Sequence, residues 1–482
     1  MNGELLIRIC AFIGIFAIFA LAFLCSNNRS AVNLRLVICG LSLQLILAMF
    51  ILRTPWGQGL FSFLGRAVEK LLSFAADGAA FVLGPLANSD MMTSVFGPAG
   101  GFIFAFKLVP ALIFVASLAS FAYHIGIMQR IVSAISWVIY RVMGASGSET
   151  TSNAASVFIG QVEAQILIKP YMPTLTQSEM LAVMAGSMAC ISGAIMAVYI
   201  QMGVSASYLM AASIMAIPGA LVISKIFYPE TEQSVTRGAI KLEVEKTSVN
   251  VIDAMAHGAG EGLKVGAIVC AMLIAAVAII GLLDYMLGKV GVMLVATFFD
   301  SAKDVVVLNI DLNNLTLGGI LGGVFRYAAL VMGVPLQDAT VVGGLMGTKM
   351  VINEFVAYSQ MTPLIEGQLL DPKSIIIATF ALCGFANFSS VAMLIGGLGE
   401  LAPDRKHDLA RLGLRAMFCG TLASYLSATI AGIIYTDPSS VGEQSLFTPL
   451  LIILVASLII FAFNIANKHP ERVPAIFARL SK

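Results

Sequence analysis

Two carboxylates and several amides lie inside segments of the sequence that are otherwise apolar. Gln161 and Glu163 follow Gly160 in one such segment, and Glu354 follows Asn353 in another. An ionised carboxylate at membrane depth costs about 2.5 to 3.5 kcal/mol on insertion scales, unless it pairs with a cation or faces water. Ionisable residues in membrane segments are functional by default, so this pattern predicts a site that binds a polar solute.

A purely structural role is the alternative interpretation of the two carboxylates. Each would pair with a nearby base, Lys169 or Lys349, and lock the local geometry. Farther along the chain, Phe385 offers a flat apolar face, Asn387 an amide and Ser390 a hydroxyl. This set of groups suits a ligand that carries both a heterocycle and hydroxyl groups.

The composition indicates where these polar groups lie. Of 482 residues, 59% are hydrophobic and 11% charged, against about 25% charged in ordinary soluble domains. The net charge of +1 gives no field that would gather nucleic acid. The seven cysteines lie in apolar segments without metal-ligand spacing, and no nucleophile and base pair is visible. We therefore expect a membrane protein, in contact with lipid, that is not an enzyme and has neither metal site, cofactor nor nucleic-acid partner.

Apolar runs of about 20 residues predict an all-α polytopic membrane protein. The expected spans are eight, with an extra C-terminal one: 5–25, 36–52, 101–125, 180–202, 208–226, 265–287, 375–398, 412–435 and 450–465. Segments 61–74 and 131–143 are predicted as interfacial helices, and 228–264 as a cytoplasmic loop. The basic links, such as the one with Arg29 and Arg35, place the N-terminus outside and the C-terminus in the cytoplasm.

Two interrupted apolar segments, 150–169 and 317–353, are predicted as re-entrant hairpins. The apolar helix after each is broken in its middle, at 190–193 and at 384–390. The first copy of this plan starts on the cytoplasmic side of the membrane and the second on the outer side, which predicts an inverted repeat with broken helices. Paired interruptions in two halves of a membrane protein indicate a transporter's substrate site near the midplane.

Three segments of this plan resemble the signature segments of the concentrative nucleoside transporter family, in its bacterial branch. They are GQVEA at 160–164, VINEFVAY at 351–358 and ALCGFANFSS at 381–390, and the similarity runs from about Leu5 to Tyr435. The resemblance implies a homotrimer in the bacterial inner membrane. It also implies import of nucleosides by cation symport, through an elevator-like motion of a transport part against a scaffold.

The repeat and the resemblance together divide the chain into five parts. Residues 1–145 form N-terminal spans and interfacial helices, mostly scaffold, and 146–228 the first transport repeat. Residues 229–316 contain a cytoplasmic linker, an interfacial helix and a scaffold span. Residues 317–436 form the second transport repeat, and 437–482 the extra span and basic tail.

The resemblance implies roles in the first repeat by motif position. Gln161 and Glu163 address the nucleobase, and Ile195 lines its apolar side. The chain departs from the family's usual string at Val162, where Thr is common, and at Gln165, where Pro is common. These departures remove one polar contact to the base and leave the preferred nucleoside open.

The resemblance assigns the sugar to the second repeat. Glu354, Asn387 and Ser390 hydrogen-bond the ribose hydroxyls, Phe385 packs against the nucleoside, and Asn353 supports them. Loss of a hydroxyl that satisfies buried polar groups is penalised strongly. We therefore expect ribonucleosides such as uridine to be preferred over deoxyribonucleosides.

The candidate cation site carries the most consequential departures. Sodium-coupled members place Asn where Ser156 stands and Ser where Cys190 stands, with backbone carbonyls near Ile159 and Ile191 as the remaining ligands. A thiol is a poor ligand for a hard cation. We therefore favour H+ over Na+ as the coupling ion, with one of the two hairpin carboxylates titrating. The alternatives are sodium symport, an uncoupled facilitator and a binding receptor.

Overall fold

The computed structural model describes residues 3–97, 103–236, 248–299, 305–307 and 310–435. The expected extra span at 450–465 and the basic tail lie outside these residues. The described chain is almost entirely helical, with one antiparallel pairing of two-residue strands, Val306–Val307 and Ile310–Asp311.

The first half of the described chain contains eleven helices and one long 3-10 segment. The helices are α1 (Gly3–Leu24), α2 (Leu34–Arg53), α3 (Pro55–Leu83), α4 (Ser89–Phe96), α5 (Phe104–His124), α6 (Ile127–Met143), α7 (Gly147–Ser156), α8 (Gln177–Ala189), α9 (Gly193–Gln201), α10 (Ala206–Phe227) and α11 (Val251–Phe298). The 3-10 segment, Glu163–Thr174, lies between α7 and α8.

Six further helices complete the described chain. They are α12 (Leu317–Val331), α13 (Ala339–Val351), α14 (Glu354–Glu366), α15 (Pro372–Leu382), α16 (Phe388–Leu401) and α17 (Lys406–Ile434). Both predicted helix breaks are present, between α8 and α9 and between α15 and α16. Short 3-10 turns at Arg29–Ala31, Gly84–Ala87 and Pro403–Arg405 join other helices.

Eight stretches of the described chain are long and apolar enough to cross a membrane. They are Ile7–Leu24, Leu34–Arg53, Pro55–Phe96, Ala105–His124, Gln177–Gln201, Ala206–Phe227, Val251–Phe298 and Pro403–Ile434. Burial separates them: 94% of the apolar window in Pro403–Ile434 is buried, against 11% of that in Val251–Phe298. Helix α17 therefore lies at the centre of the chain and α11 at its periphery.

Two elements differ from the sequence-based expectation. The interfacial helix expected at 61–74 belongs to the 29-residue α3. The loop expected at 228–264 ends early, because α11 begins at Val251, where the Asn250 side chain accepts from the Asp253 amide at 2.9 Å. Gly258 and Gly262 then pack against the backbone of α5, which small residues at this spacing permit.

The first hairpin is formed by α7 and the 3-10 segment. Helix α7 runs parallel to α8. Near the start of both helices, Ser148 Oγ donates to Glu179 at 3.4 Å. At the far end, the Gly193 amide donates to the Phe158 carbonyl at 3.3 Å. The chain must therefore turn back between α7 and α8, and its turn lies against the break between α8 and α9.

The hairpin next to the second helix break is formed by α13 and α14, and it extends to Glu366, beyond the predicted segment 317–353. At its base, the Asp371 amide donates to the Asp338 carboxylate at 2.9 Å. At its turn, Lys349 Nζ donates to the Ala381 carbonyl at 2.8 Å. Helices α13 and α15 are thus parallel, and α14 returns to the base. The predicted segment thus ended too early, and its first helix, α12, packs on α13 through small residues such as Gly343.

The two helix breaks lie directly against each other. A Cβ atom on Gly384, in the second break, would lie 2.7 Å from the carbonyl oxygen of Ala189, at the end of α8. Gly384 also has a positive φ of 124°, which favours glycine. The fold therefore brings both hairpin turns and both helix breaks to one place in the molecule.

Candidate substrate site

The place where the two helix breaks meet is called the crossing below. Glu354 is the buried carboxylate at its centre, with 2% of its surface exposed. Its Oε2 accepts a hydrogen bond from Asn387 Nδ2 at 2.8 Å, and its Oε1 accepts from the Tyr199 hydroxyl at 3.4 Å. These partners come from the second break and from α9, so the carboxylate joins the two repeats. Neutral donors stabilise a buried carboxylate without cancelling its charge.

Helix N-termini fix the polar side chains of the second repeat. Asn353 caps α14 by accepting from the Val356 amide at 2.9 Å, and Asn387 caps α16 by accepting from the Ser390 amide at 2.8 Å. The positive end of a helix dipole favours nearby negative charge. Two such ends therefore support Glu354 at the start of α14.

The structural alternative, in which the carboxylates pair with lysines, is not what the structure contains. Lys349 Nζ donates to a backbone carbonyl instead, and Lys169 lies exposed on the surface. Among the described residues, the salt bridges include neither Glu163 nor Glu354. Glu354 is thus available to a further hydrogen-bond donor.

Two buried polar atoms near these groups have no partner within the described chain. They are the hydroxyl oxygen of Ser390, which is 1% exposed, and the Oε1 atom of Gln161, which is 8% exposed. Buried polar atoms are almost always hydrogen-bonded in native proteins. One donor or acceptor group per repeat is therefore left for a bound molecule.

The turn of the first hairpin faces α16. Gln161 Nε2 lies 3.6 Å from Met393 Sδ, and the methyl groups of Val162 pack against Gly397. Glu163, in contrast, is exposed and folds over Gly160. The expectation that Glu163 bears the cost of burial is wrong, because the turn places its carboxylate at an open face.

Apolar groups complete the surroundings. Ile195 is buried in the first turn of α9, which Ser192 caps by accepting from the Ile195 amide at 3.4 Å. Tyr199 lies one turn later on the same helix face, so Ile195 faces the side that carries Glu354. Phe385 is buried in the second break.

The side chains of the candidate cation residues point to backbone carbonyls. Ser156 Oγ donates to the Ser152 carbonyl at 2.9 Å, whereas Cys190 Sγ points to the Ser213 carbonyl on α10, 3.8 Å away. Ile159 is half-buried and Ile191 fully buried. Within the described residues, no group of three His, Cys, Asp or Glu side chains could hold a metal ion.

The sequence interpretation missed several residues that the structure makes prominent. Tyr199 looked like an ordinary aromatic residue in an apolar helix, although its hydroxyl needs a partner when buried. Glu149 and Lys225 form a buried ion pair at the base of the first hairpin. The signal for this pair was a lone lysine near the end of an apolar span, which is costly unless paired.

Comparisons with known proteins agree with this architecture. Residues 13–86 match a family model described as Na+ dependent nucleoside transporter N-terminus, and 105–206 match one described as Nucleoside recognition. Residues 208–432 match the Na+ dependent nucleoside transporter C-terminus. The Nucleoside permease NupC of Helicobacter pylori is 37% identical over 425 residues, which cover 87% of this chain and 96% of the permease.

Solved structures give the same result. CNTnw in an inward-facing substrate-bound state superposes with a TM-score of 0.81 and 36% identity, covering 91% of this chain and all of CNTnw. A CNTnw variant in an outward-facing state gives a TM-score of 0.82 and 37% identity, over 89% of this chain and 98% of the variant.

The fold and its crossed breaks define a multi-pass membrane transporter built from broken helices. The chain belongs to the concentrative nucleoside transporter family. It is therefore a transporter and not an enzyme.

Proposed function

We propose that this protein imports nucleosides across the bacterial inner membrane by cation symport. The observation that carries the proposal is the Glu354 carboxylate, buried at the crossing and held by neutral donors beside the unpartnered Ser390 hydroxyl. A carboxylate can accept from two adjacent hydroxyl groups, as a ribose ring offers. Its position at the crossed breaks is where broken-helix transporters bind their substrates.

The ribose contacts come from the second repeat in this proposal. Glu354, Asn387 and Ser390 hydrogen-bond the sugar hydroxyls, supported by Asn353, and Phe385 packs against the nucleoside. The Asn387 amide already bonds Glu354, so the two act as one unit. A ribonucleoside such as uridine would satisfy the Ser390 hydroxyl that the protein leaves without a partner.

The nucleobase contacts come from the first repeat. Gln161 offers its unpartnered Oε1 atom, and Glu163 lies at the open face of the same turn. Ile195, buried at the start of α9, provides the apolar wall. A mixed wall of this kind fixes a flat heterocycle by its edge and its face.

We infer proton coupling in preference to sodium coupling. The Ser156 hydroxyl and the Cys190 thiol point to separate backbone carbonyls, and a thiol is a poor sodium ligand. Ile159 and Ile191 would contribute only carbonyl oxygens. In a proton mechanism, Glu354 or Glu163 would carry the proton that moves with the nucleoside.

We further propose that both hairpins are re-entrant and belong to a transport part, formed by residues 146–228 and 317–436. This part would move as an elevator against a scaffold formed by the N-terminal and middle segments of the chain. The protein would assemble as a homotrimer, with its N-terminus outside and its C-terminus in the cytoplasm.

Uptake by proteoliposomes under separate ion gradients tests the function. We expect uridine to accumulate against its own gradient when an inward proton gradient is imposed without sodium, and the accumulation to stop when a protonophore is added. A sodium gradient at fixed pH should leave uptake unchanged.

The other results of this experiment each exclude a part of the proposal. Stimulation by sodium at fixed pH, without a proton gradient, would replace proton coupling by sodium symport. Equilibration without accumulation would indicate a facilitator. Tight nucleoside binding with no movement into the vesicles would indicate a receptor.

A further inference from the structure

Gln165 is a fully buried glutamine in the 3-10 segment of the first hairpin, with 0% of its surface exposed. Its Nε2 atom lies 2.7 Å from Ser187 Oγ, 3.3 Å from the Gln161 carbonyl oxygen and 3.4 Å from Ser156 Oγ. Its Oε1 atom accepts from Ser152 Oγ at 2.6 Å. The side chain thus connects α7, the turn of the hairpin and α8 at a single point.

The three oxygens around Nε2 present lone pairs to it. Ser156 Oγ donates its hydrogen to the Ser152 carbonyl at 2.9 Å, and Ser187 Oγ donates to the Val183 carbonyl at 3.0 Å. The third oxygen is a backbone carbonyl, which can only accept. Three acceptors that converge on one donor form the kind of environment that a hard cation also prefers.

The residues present do not fit a sodium ion at this place. The amide fills the point on which the oxygens converge, and the side chains that contact it, Ser152, Ser156 and Ser187, are all neutral. A cation placed there would displace the amide and leave its polar atoms buried without partners, which is unfavourable.

We propose that the Gln165 carboxamide takes the place of a coupling sodium ion. It locks the first hairpin onto α8 by itself, and it makes the conformation of the hairpin independent of sodium. This inference deepens the proposed function by naming the residue that sets ion specificity. Binding of sodium to the purified protein tests it without any transport measurement.

The first test compares the Tm of the purified full chain in sodium chloride and in choline chloride at equal concentration and pH. A ligand that binds the folded state raises Tm in a saturable way. We expect the same Tm in both salts for the wild type. A saturable rise that only sodium produces would overturn the proposal.

The second test uses Gln165→Ala, which frees the three oxygens. We expect Tm in choline to fall by about 5 °C, and sodium to restore part of the loss. A variant as stable as the wild type would show that the amide does not hold the hairpin. A loss that sodium does not restore would show that the pocket is not equivalent to a cation site.

Gln165→Glu keeps the shape of the side chain and provides a variant of nearly equal volume. The oxygen that replaces Nε2 would face three acceptors without a donor, so the Tm of this variant should become higher in sodium than in choline. The control is Gln337→Glu, which adds the same charge at an exposed position and should show no sodium effect. Equal sodium responses of the two variants would contradict the proposal.

The proposed function and this inference fail in different ways. If vesicles transport no nucleoside although Gln165→Glu becomes sodium-dependent in Tm, the function fails and the role of Gln165 stands. If vesicles accumulate uridine with a proton gradient although sodium stabilises the wild type, the role of Gln165 fails and the function stands.

Discussion

At the scale of single residues, Glu354 is set apart by the neutrality of its partners. Asn387 and Tyr199 donate to its two oxygens, whereas Glu149 in the first repeat contacts the ammonium group of Lys225. A carboxylate paired with a cation has little affinity left for a ligand, because its charge is already compensated. A buried carboxylate held by neutral donors keeps lone pairs available to accept hydrogen bonds from the hydroxyl groups of a substrate.

Replacement of Glu354 tests this role. Glu354→Gln should reduce the efficiency of uridine uptake by about 10- to 100-fold, because a hydrogen bond to a charged group contributes about 1.5 to 3 kcal/mol. The preference for uridine over 2′-deoxyuridine should shrink at the same time. Both are measured as initial uptake rates in proteoliposomes.

Ser390→Ala is the matched companion to Glu354→Gln. The Ser390 hydroxyl has no partner in the described chain, so its removal should weaken uridine affinity and leave Tm unchanged. Undiminished uridine uptake by Glu354→Gln would exclude a ribose contact at Glu354.

The sequence indicated some of these residues and not others. Glu354 and Asn387 stood out because polar groups in apolar segments are costly. Gln165 was noticed only as a departure from a family string. Its role depends on Ser187, which lies on the following helix. The spacing of the two residues in the sequence does not predict that contact.

At the scale of elements, the crossing of the two breaks depends on one glycine. Gly384→Ala would introduce a side chain at a φ of 124° and 2.7 Å from the Ala189 carbonyl oxygen. Both effects destabilise the folded protein, together by at least about 2 kcal/mol. We expect a lower Tm and loss of uptake, measured on the purified variant and in vesicles.

Gly396→Ala is the control for this substitution. Gly396 lies in α16, where an added Cβ would meet no heavy atom within 4 Å, so alanine should maintain or raise the Tm. Equal behaviour of the two variants would show that close contact between the breaks is not required.

The base of the first hairpin depends on an ion pair. Lys225 contacts Glu149, and its Nζ also donates to Ser178 Oγ at 2.8 Å. Lys225→Met leaves the Glu149 carboxylate buried without its cation, at an expected cost of about 3 to 5 kcal/mol. The loss is measured as a fall in Tm or in the midpoint of chemical unfolding.

Two comparisons decide whether charge is responsible. Adding Glu149→Gln to Lys225→Met should recover part of the lost stability, because the unpaired charge is then absent. Lys264→Met breaks an exposed pair with Glu261 and should change stability by less than about 1 kcal/mol. A double variant no more stable than Lys225→Met would contradict this account.

The elements were predicted unevenly, for identifiable reasons. The breaks after Ala189 and Leu382 followed from glycine and polar residues inside apolar runs. The prediction for the second hairpin ended at residue 353 and left out α14, because α14 carries polar residues such as Glu354, Gln360 and Glu366. Periodicity does not reveal which of these short helices pairs with which, since pairing depends on contacts between separate elements.

At the scale of the whole molecule, α11 is the least buried of the eight candidate spans in the described chain. Its segment from Val265 to Phe298 is apolar with only two charged residues, Asp284 and Lys289. At about 1.5 Å per residue this segment is longer than the roughly 30 Å hydrocarbon core. Only 11% of the apolar window of α11 is buried in one chain, so part of its surface is available to neighbouring subunits.

Native mass spectrometry of the protein released from mild detergent tests the homotrimer. We expect a species of about three times the 50.9 kDa of one chain, in which helices of neighbouring subunits pack against each other. Dilution should preserve this species. A monomer as the main species at all concentrations would contradict the proposal.

The sequence by itself determined that the chain is a polytopic helical membrane protein with two interrupted segments and two broken helices. Hydropathy and helix-breaking residues act locally, so spans and breaks can be recognised from short segments of the sequence. Only the tertiary structure decided that Glu354 is buried while Glu163 is exposed, and that the Gln165 amide fills a ring of oxygens. These properties depend on contacts between distant segments, and helices that are apolar on every face do not encode which neighbour they meet.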